Sequence, residues 1–123
     1  MTTDATIRID KFSANQNIFV EGDQGDCMYI VKEGVVDLVY KGKSLGTVEK
    51  GGIFGEMALI DFHPRSATAV AKTDCVLVPV DEKHFSRLVQ ETPAFALQVM
   101  RVLVQRLRSM NENTEGAGKK DLH

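Results

Sequence analysis

"CMYIVKEGVVDLVYKGKSLGTV" runs from Cys27 to Val48 and carries the reading of the fold. Cys27–Gly34 is rich in β-branched and aromatic residues and ends at a Glu-Gly turn. Val35–Tyr40 follows at once, Lys41–Ser44 turns the chain, and Leu45–Val48 continues it. Such residues fit a pleated, half-buried surface. Short runs with turn signals at this spacing predict an all-β sandwich or barrel. Upstream, Ile18–Asp26 is a short apolar run broken by Gly22 and Gly25. Downstream, Ser66–Lys72 and Cys75–Val80 are further strand candidates, separated by Thr73 and Asp74. Pro79 has no N–H to give to a ladder, so it is expected near a strand end or an edge.

After Val80 the period changes. Asp81 is a good N-cap, and Phe85, Leu88 and Val89 follow at helical spacing within Glu82–Glu91. Thr92 and Pro93 supply the cap and first position of a second helix. That helix carries Ala96, Met100, Leu103, Leu107 and Met110 at three- and four-residue steps, and Val99, Val102 and Val104 widen its apolar face. A face this wide has two surfaces to cover: two core contacts, or one core contact plus a ligand lid or a dimer seam. Asn113–His123 is polar and glycine-rich and is expected to fray. The expected organisation is one domain over residues 1–112 and a disordered tail over 113–123.

Composition excludes several classes. With 123 residues, 43% apolar and 26% charged, the chain fits one ordinary globular domain. A net charge of −2 argues against a nucleic-acid surface, which needs a basic face. Met1–Asp10 lacks the apolar run of a signal peptide, and no run approaches the roughly 18 residues of a membrane span. Cys27 and Cys75 lie in strand-like apolar runs and read as buried free thiols, so the expected location is cytoplasmic.

The chemistry concentrates in "GGIFGEMALIDFHPRSAT" (Gly51–Thr68). Gly55 permits a sharp turn and close backbone approach. Glu56–Ile60 is long enough for about one helical turn, whose first N–H groups attract anions. Arg65 supplies a planar fork for two phosphate oxygens, and Ser66 adds a hydroxyl and a further N–H. Glu56 repels phosphate, so in an anion site it must face a neutral hydroxyl, from which a carboxylate accepts strongly. A phosphate beside a sugar hydroxyl is a compact nucleotide. The bland alternative is a surface ion pair between Glu56 and Arg65 that pins a loop, worth at most about 1 kcal/mol.

Phe54–Ala69, "FGEMALIDFHPRSATA", resembles the phosphate-binding cassette of the cyclic nucleotide-binding domain family. The family pattern is F-G-E-[LIM]-[AS]-L, a short spacer, then [PQ]-R-[ASTV]-A. Glu21–Tyr40 resembles the family's earlier pattern, a Gly pair followed by a Tyr-Ile-Val strand and a Gly-x-Val strand. The resemblance covers roughly residues 8 to 112. It implies a mainly β fold: an antiparallel β-roll, jelly-roll-like, with a short cassette helix and two C-terminal helices. It also implies that Arg65 pairs a cyclic phosphate and Glu56 takes the ribose 2′-hydroxyl. The remaining ligand-binding residues it implies are Phe54, Gly55, Met57, Ala58, Ser66 and Ala67, with main-chain N–H groups lining the phosphate. In the family, Ala after the arginine goes with cAMP and Thr often with cGMP. Several bacterial cAMP-binding members carry Arg-Ser-Ala there, so Ser66 favours cAMP and leaves cGMP open. Leu107, Met110 and Asn111 are candidates for a lid over the base, with plain core or frayed tail as the alternative.

Two other readings are weaker. A metal enzyme on a β-roll needs several His and carboxylate ligands converging on one ion. His63 falls in the spacer loop, His84 on a helix and His123 in the tail, and no strand carries a His-x-His pair. No Ser or Cys has a recognisable base partner. No catalysis, metal or cofactor is therefore expected. An adaptor that has abandoned nucleotide would be expected to lose Glu56 or Arg65, and both are present. No kinase, membrane or DNA-binding element is read within these 123 residues. The expectation is a stand-alone sensor or an excised domain that signals through a protein partner or by self-association, with the final helix as the surface.

Overall fold

The computed structural model describes residues 8–60 and 62–115, with side chains described through residue 105. Eight strands appear among these residues: β1 (Asp10–Phe12), β2 (Asn17–Phe19), β3 (Cys27–Glu33), β4 (Val36–Tyr40), β5 (Lys43–Val48), β6 (Ile53–Phe54), β7 (Thr68–Ala71) and β8 (Cys75–Asp81). They pair into two four-stranded antiparallel sheets, ordered β1-β8-β3-β6 and β2-β7-β4-β5. The helices are α1 (Met57–Ile60), α2 (Glu82–Glu91) and α3 (Pro93–Glu115). This is the mainly β fold with helices that the sequence implies.

The core follows from alternation. Along β8 the core positions Cys75 and Leu77 alternate, and along β7 Ala69 and Ala71 do, while Val80 is buried on the other face of β8. One buried cluster draws Tyr29, Val31, Phe54, Cys75 and Leu77 from the first sheet and Val36, Val48, Ala69 and Ala71 from the second. Phe12, Ile18, Phe19, Cys27 and Leu38 pack around it half-buried. Successive side chains of a strand point to opposite faces, and on the first sheet the second set is buried too, at Met28, Ile53 and Val80.

Several boundaries differ from the sequence reading. β5 begins at Lys43, because Lys41 and Gly42 both take positive φ and close a two-residue turn that pairs Tyr40 with Lys43. Pro79 sits inside β8 opposite Tyr29, yet β1 reaches only as far as Leu77, so β8 has a free side there. β1 and β6 are three and two residues long and were not singled out as strands from sequence, and β2 takes only the first two residues of the Ile18–Asp26 run.

By internal contacts the chain divides between Ser86 and Arg87 into two compact units. The first holds both sheets, α1 and the start of α2. Asp81 caps α2: its Oδ1 accepts from the His84 main-chain N–H at 2.9 Å. The second unit holds the rest of α2 and α3. Phe95 and Val99 are buried, whereas Leu97, Met100 and Val104 are exposed. Met100 therefore leaves the stripe on which its spacing placed it and joins a second apolar face. α3 continues to Glu115, past Asn113, since no strong helix breaker precedes Gly116.

Candidate functional site

Pairing of β6 with β3, Phe54 opposite Tyr29 and Ile53 opposite Ile30, brings the cassette beside the loop between β2 and β3. That loop, residues 20–26, is tied to Arg65 by main chain. The Gly22 N–H donates to the Arg65 carbonyl and the Arg65 N–H donates to the Asp23 carbonyl, each at 2.8 Å. Within the loop the Val20 N–H donates to Asp23 Oδ2, and the Glu21 N–H donates to Thr68 Oγ1, both at 3.0 Å. The arginine is thus fixed at its backbone by a segment some forty positions away in sequence.

Its side chain runs inward. Arg65 is 7% exposed and Glu56 is fully buried, and they are the buried charged residues among those described. Arg65 Nη1 donates to the Gly55 carbonyl at 3.0 Å, and Nη2 donates to the Cys27 carbonyl at 2.8 Å. The guanidinium carbon lies 4.0 Å from the centroid of the Phe19 ring and 6.0 Å from that of Tyr29. Those rings form one cluster with Phe54, at centroid separations of 6.2 Å (Phe19–Tyr29), 5.9 Å (Phe19–Phe54) and 5.3 Å (Tyr29–Phe54). Arg65 Nε is buried and has no hydrogen-bond partner among the described residues. A buried donor in that state carries a desolvation cost of about 1–3 kcal/mol, which an incoming acceptor would remove.

Two glycines make room for the fork. A Cβ on Gly25 would stand 2.5 Å from Arg65 Cζ and Nε, and one on Gly55 would stand 2.7 Å from Nη1. Gly55 also takes φ +79°, a region that side chains rarely adopt.

The cassette residues are brought together, but their roles differ. The Phe54 ring is fully buried in the core. Ala58 and Ala67 are buried, while Met57 and Ser66 are exposed. Helix α1 has only four residues, so its dipole is slight, and local positive charge comes from Arg65. The Ala58 N–H donates to the Gly55 carbonyl at 3.3 Å, and those of Leu59 and Ile60 donate to the Glu56 carbonyl. Burial of Glu56 and Arg65 removes the surface ion pair as an account of the stretch. The side chains of Leu107, Met110 and Asn111 lie outside the described residues.

Cys27 and Cys75 are free thiols. Burial pushes the Cys27 thiol and the Tyr29 phenol up from their ordinary pKa values, so both are protonated at neutral pH. Among the described residues no three His, Cys, Asp or Glu side chains converge as a metal site requires, and no helix is long and apolar enough to cross a membrane. Sequence reasoning missed Phe19, Gly25 and the Cys27 carbonyl. The one available signal was Gly25, read there as chain punctuation.

Fold and site together define a β-roll module built around one buried arginine fork. The sequence matches the cyclic nucleotide-binding domain family over residues 9–92, more than half of its length, and the chain belongs to that family. A cAMP-dependent protein kinase regulatory subunit from Eremothecium gossypii is 44% identical over 77 residues, 63% of this chain and 17% of the relative. The chain spans 17% to 21% of the length of the curated kinase regulatory subunits it matches. The catabolite activator protein of Thermus thermophilus superposes with a TM-score of 0.77 at 29% identity, over 90% of this chain and 55% of that one. A structure from work on a cyclic-GMP-dependent signalling pathway in bacterial phytopathogenesis superposes with a TM-score of 0.71 at 30% identity, over 88% and 95%.

Proposed function

We propose that this domain is a non-catalytic cyclic nucleotide sensor that prefers cAMP. The observation that carries the reading is the Arg65 guanidinium: buried, with its carbon 4.0 Å from the Phe19 ring centroid, and left with an unpartnered Nε–H. A cyclic phosphate is a compact anion that suits this fork. Glu56, fully buried in the same cassette, accepts from the ribose 2′-hydroxyl. Main-chain N–H groups around Gly55, Met57, Ala58, Ser66 and Ala67 line the phosphate. The Ala58 N–H exchanges its long bond to Gly55 for a phosphate oxygen. Ser66 is exposed, and its place directly after the arginine favours cAMP and leaves cGMP open.

The reading extends to output. Ligand binding repositions α3, with Leu107, Met110 and Asn111 as the lid over the base. The changed helix is read by a protein partner or a second copy. The exposed Leu97, Met100 and Val104 face supports a surface of that kind. No part of the reading calls for nucleic acid, a membrane, metal or another cofactor, and the expected location is cytoplasmic.

Paired calorimetric titrations with cAMP and cGMP test the reading. The expected result is saturable one-site binding with cAMP the tighter ligand. No heat from either nucleotide at millimolar concentration would sink it, and tighter cGMP binding would reverse the preference while keeping the class.

A further inference from the structure

We propose that Phe19 is a positioning residue for the ligand phosphate: its ring fixes the plane of the Arg65 guanidinium and so sets affinity without serving as the anion's partner. The proposal rests on Arg65 as the phosphate clamp. A guanidinium recognises two oxygens only when its plane is correctly set. The carbonyls of Gly55 and Cys27 fix where its two terminal nitrogens lie. They leave the plane free to rock about the line between them. The Phe19 face, 4.0 Å beneath Cζ, closes that freedom on one side. The Gly25 backbone, so near that a Cβ there would meet Cζ and Nε at 2.5 Å, adds a close neighbour at the fork.

Phe19 is in turn set by the core. It lies at the end of β2, whose pairing with β7 places it opposite Ala69, and it packs against Tyr29 and Phe54. The same ring would touch a Cβ on Gly55 at 3.4 Å, so it borders the cassette turn as well as the fork. A planar cation over an aromatic face is attracted by the ring's quadrupole, and more strongly where water is excluded. Holding the fork in place before the anion arrives removes the cost of ordering it from binding.

The test titrates cAMP and cGMP into wild type, Phe19→Leu and Phe19→Tyr, and follows the Arg65 Nε–H resonance in ¹⁵N-labelled protein. Leucine fills the space without a π face, and tyrosine keeps the face. Phe19→Leu is expected to weaken both nucleotides by about tenfold, and by the same factor, because both carry the same cyclic phosphate. Phe19→Tyr is expected to restore most of that loss. The Nε–H signal is expected to be protected from exchange in wild type and Phe19→Tyr and broadened in Phe19→Leu. Phe19→Met serves as the apolar replacement should leucine not support the fold. Wild type that binds while Phe19→Leu binds equally well overturns the positioning role alone. Unequal losses for the two nucleotides, or Phe19→Tyr as weak as Phe19→Leu, overturn it too, since they indicate pocket shape. Wild type that binds neither nucleotide overturns the phosphate reading itself.

Discussion

Arg65 gives two of a guanidinium's five N–H donors to main-chain carbonyls and keeps a buried Nε–H in reserve. That arrangement makes Gly25 a sensitive position. In Gly25→Ala the new methyl must displace the fork, and overpacking of this kind costs about 1–3 kcal/mol. If half of that falls on the bound geometry, cAMP affinity drops by roughly two- to tenfold, which a titration of the folded variant reads directly. Unchanged affinity would show that the fork moves freely within its site. That Glu56 and Arg65 fall in one cassette was legible in the sequence because it depends on residue type and short spacing. The contribution of Gly25 and Phe19 was not, because it depends on which distant backbone approaches the arginine, and only the loop's hydrogen bonds to Arg65 fix that.

Elements with local causes were the most legible. Asp81 and Pro93 mark the starts of α2 and α3 through capping and fixed φ, and β3 and β4 follow from composition and turns. β1 and β6 were not legible, since two or three residues gain strand geometry only from a partner already in place. The Asp81 cap allows a direct test. Removing it in Asp81→Ala is expected to cost about 1 kcal/mol by thermal or denaturant unfolding. The hydrogen bond from the His84 main-chain N–H, reinforced by the His84 ring, holds the Asp81 carboxyl below its ordinary pKa. A group depressed in the folded state stabilises it above the unfolded pKa and loses that contribution as pH falls through the folded value. The stability gap between wild type and Asp81→Ala is therefore expected to close in acid below the usual carboxylate range. A gap that persists there would assign the effect to something other than the ionised cap.

For the whole molecule, a ligand that binds only the folded form must stabilise it. At about a hundred times its dissociation constant, cAMP is expected to add roughly 2.7 kcal/mol, seen as a rise in melting temperature that grows with ligand concentration. Light scattering during the same titration reports whether the exposed Leu97, Met100 and Val104 face joins two copies. A scattering mass that stays monomeric throughout would leave a protein partner as the reader of the signal. The central claim is that Arg65 holds the anion, and calorimetric titration of cAMP into wild type and Arg65→Ala tests it most directly. Far-UV circular dichroism would check that the variant keeps its β-roll, since two buried carbonyls lose their partner. The account expects saturable binding by wild type and no detectable heat from the folded variant at the same concentrations. A folded Arg65→Ala that binds cAMP as tightly as wild type would contradict it.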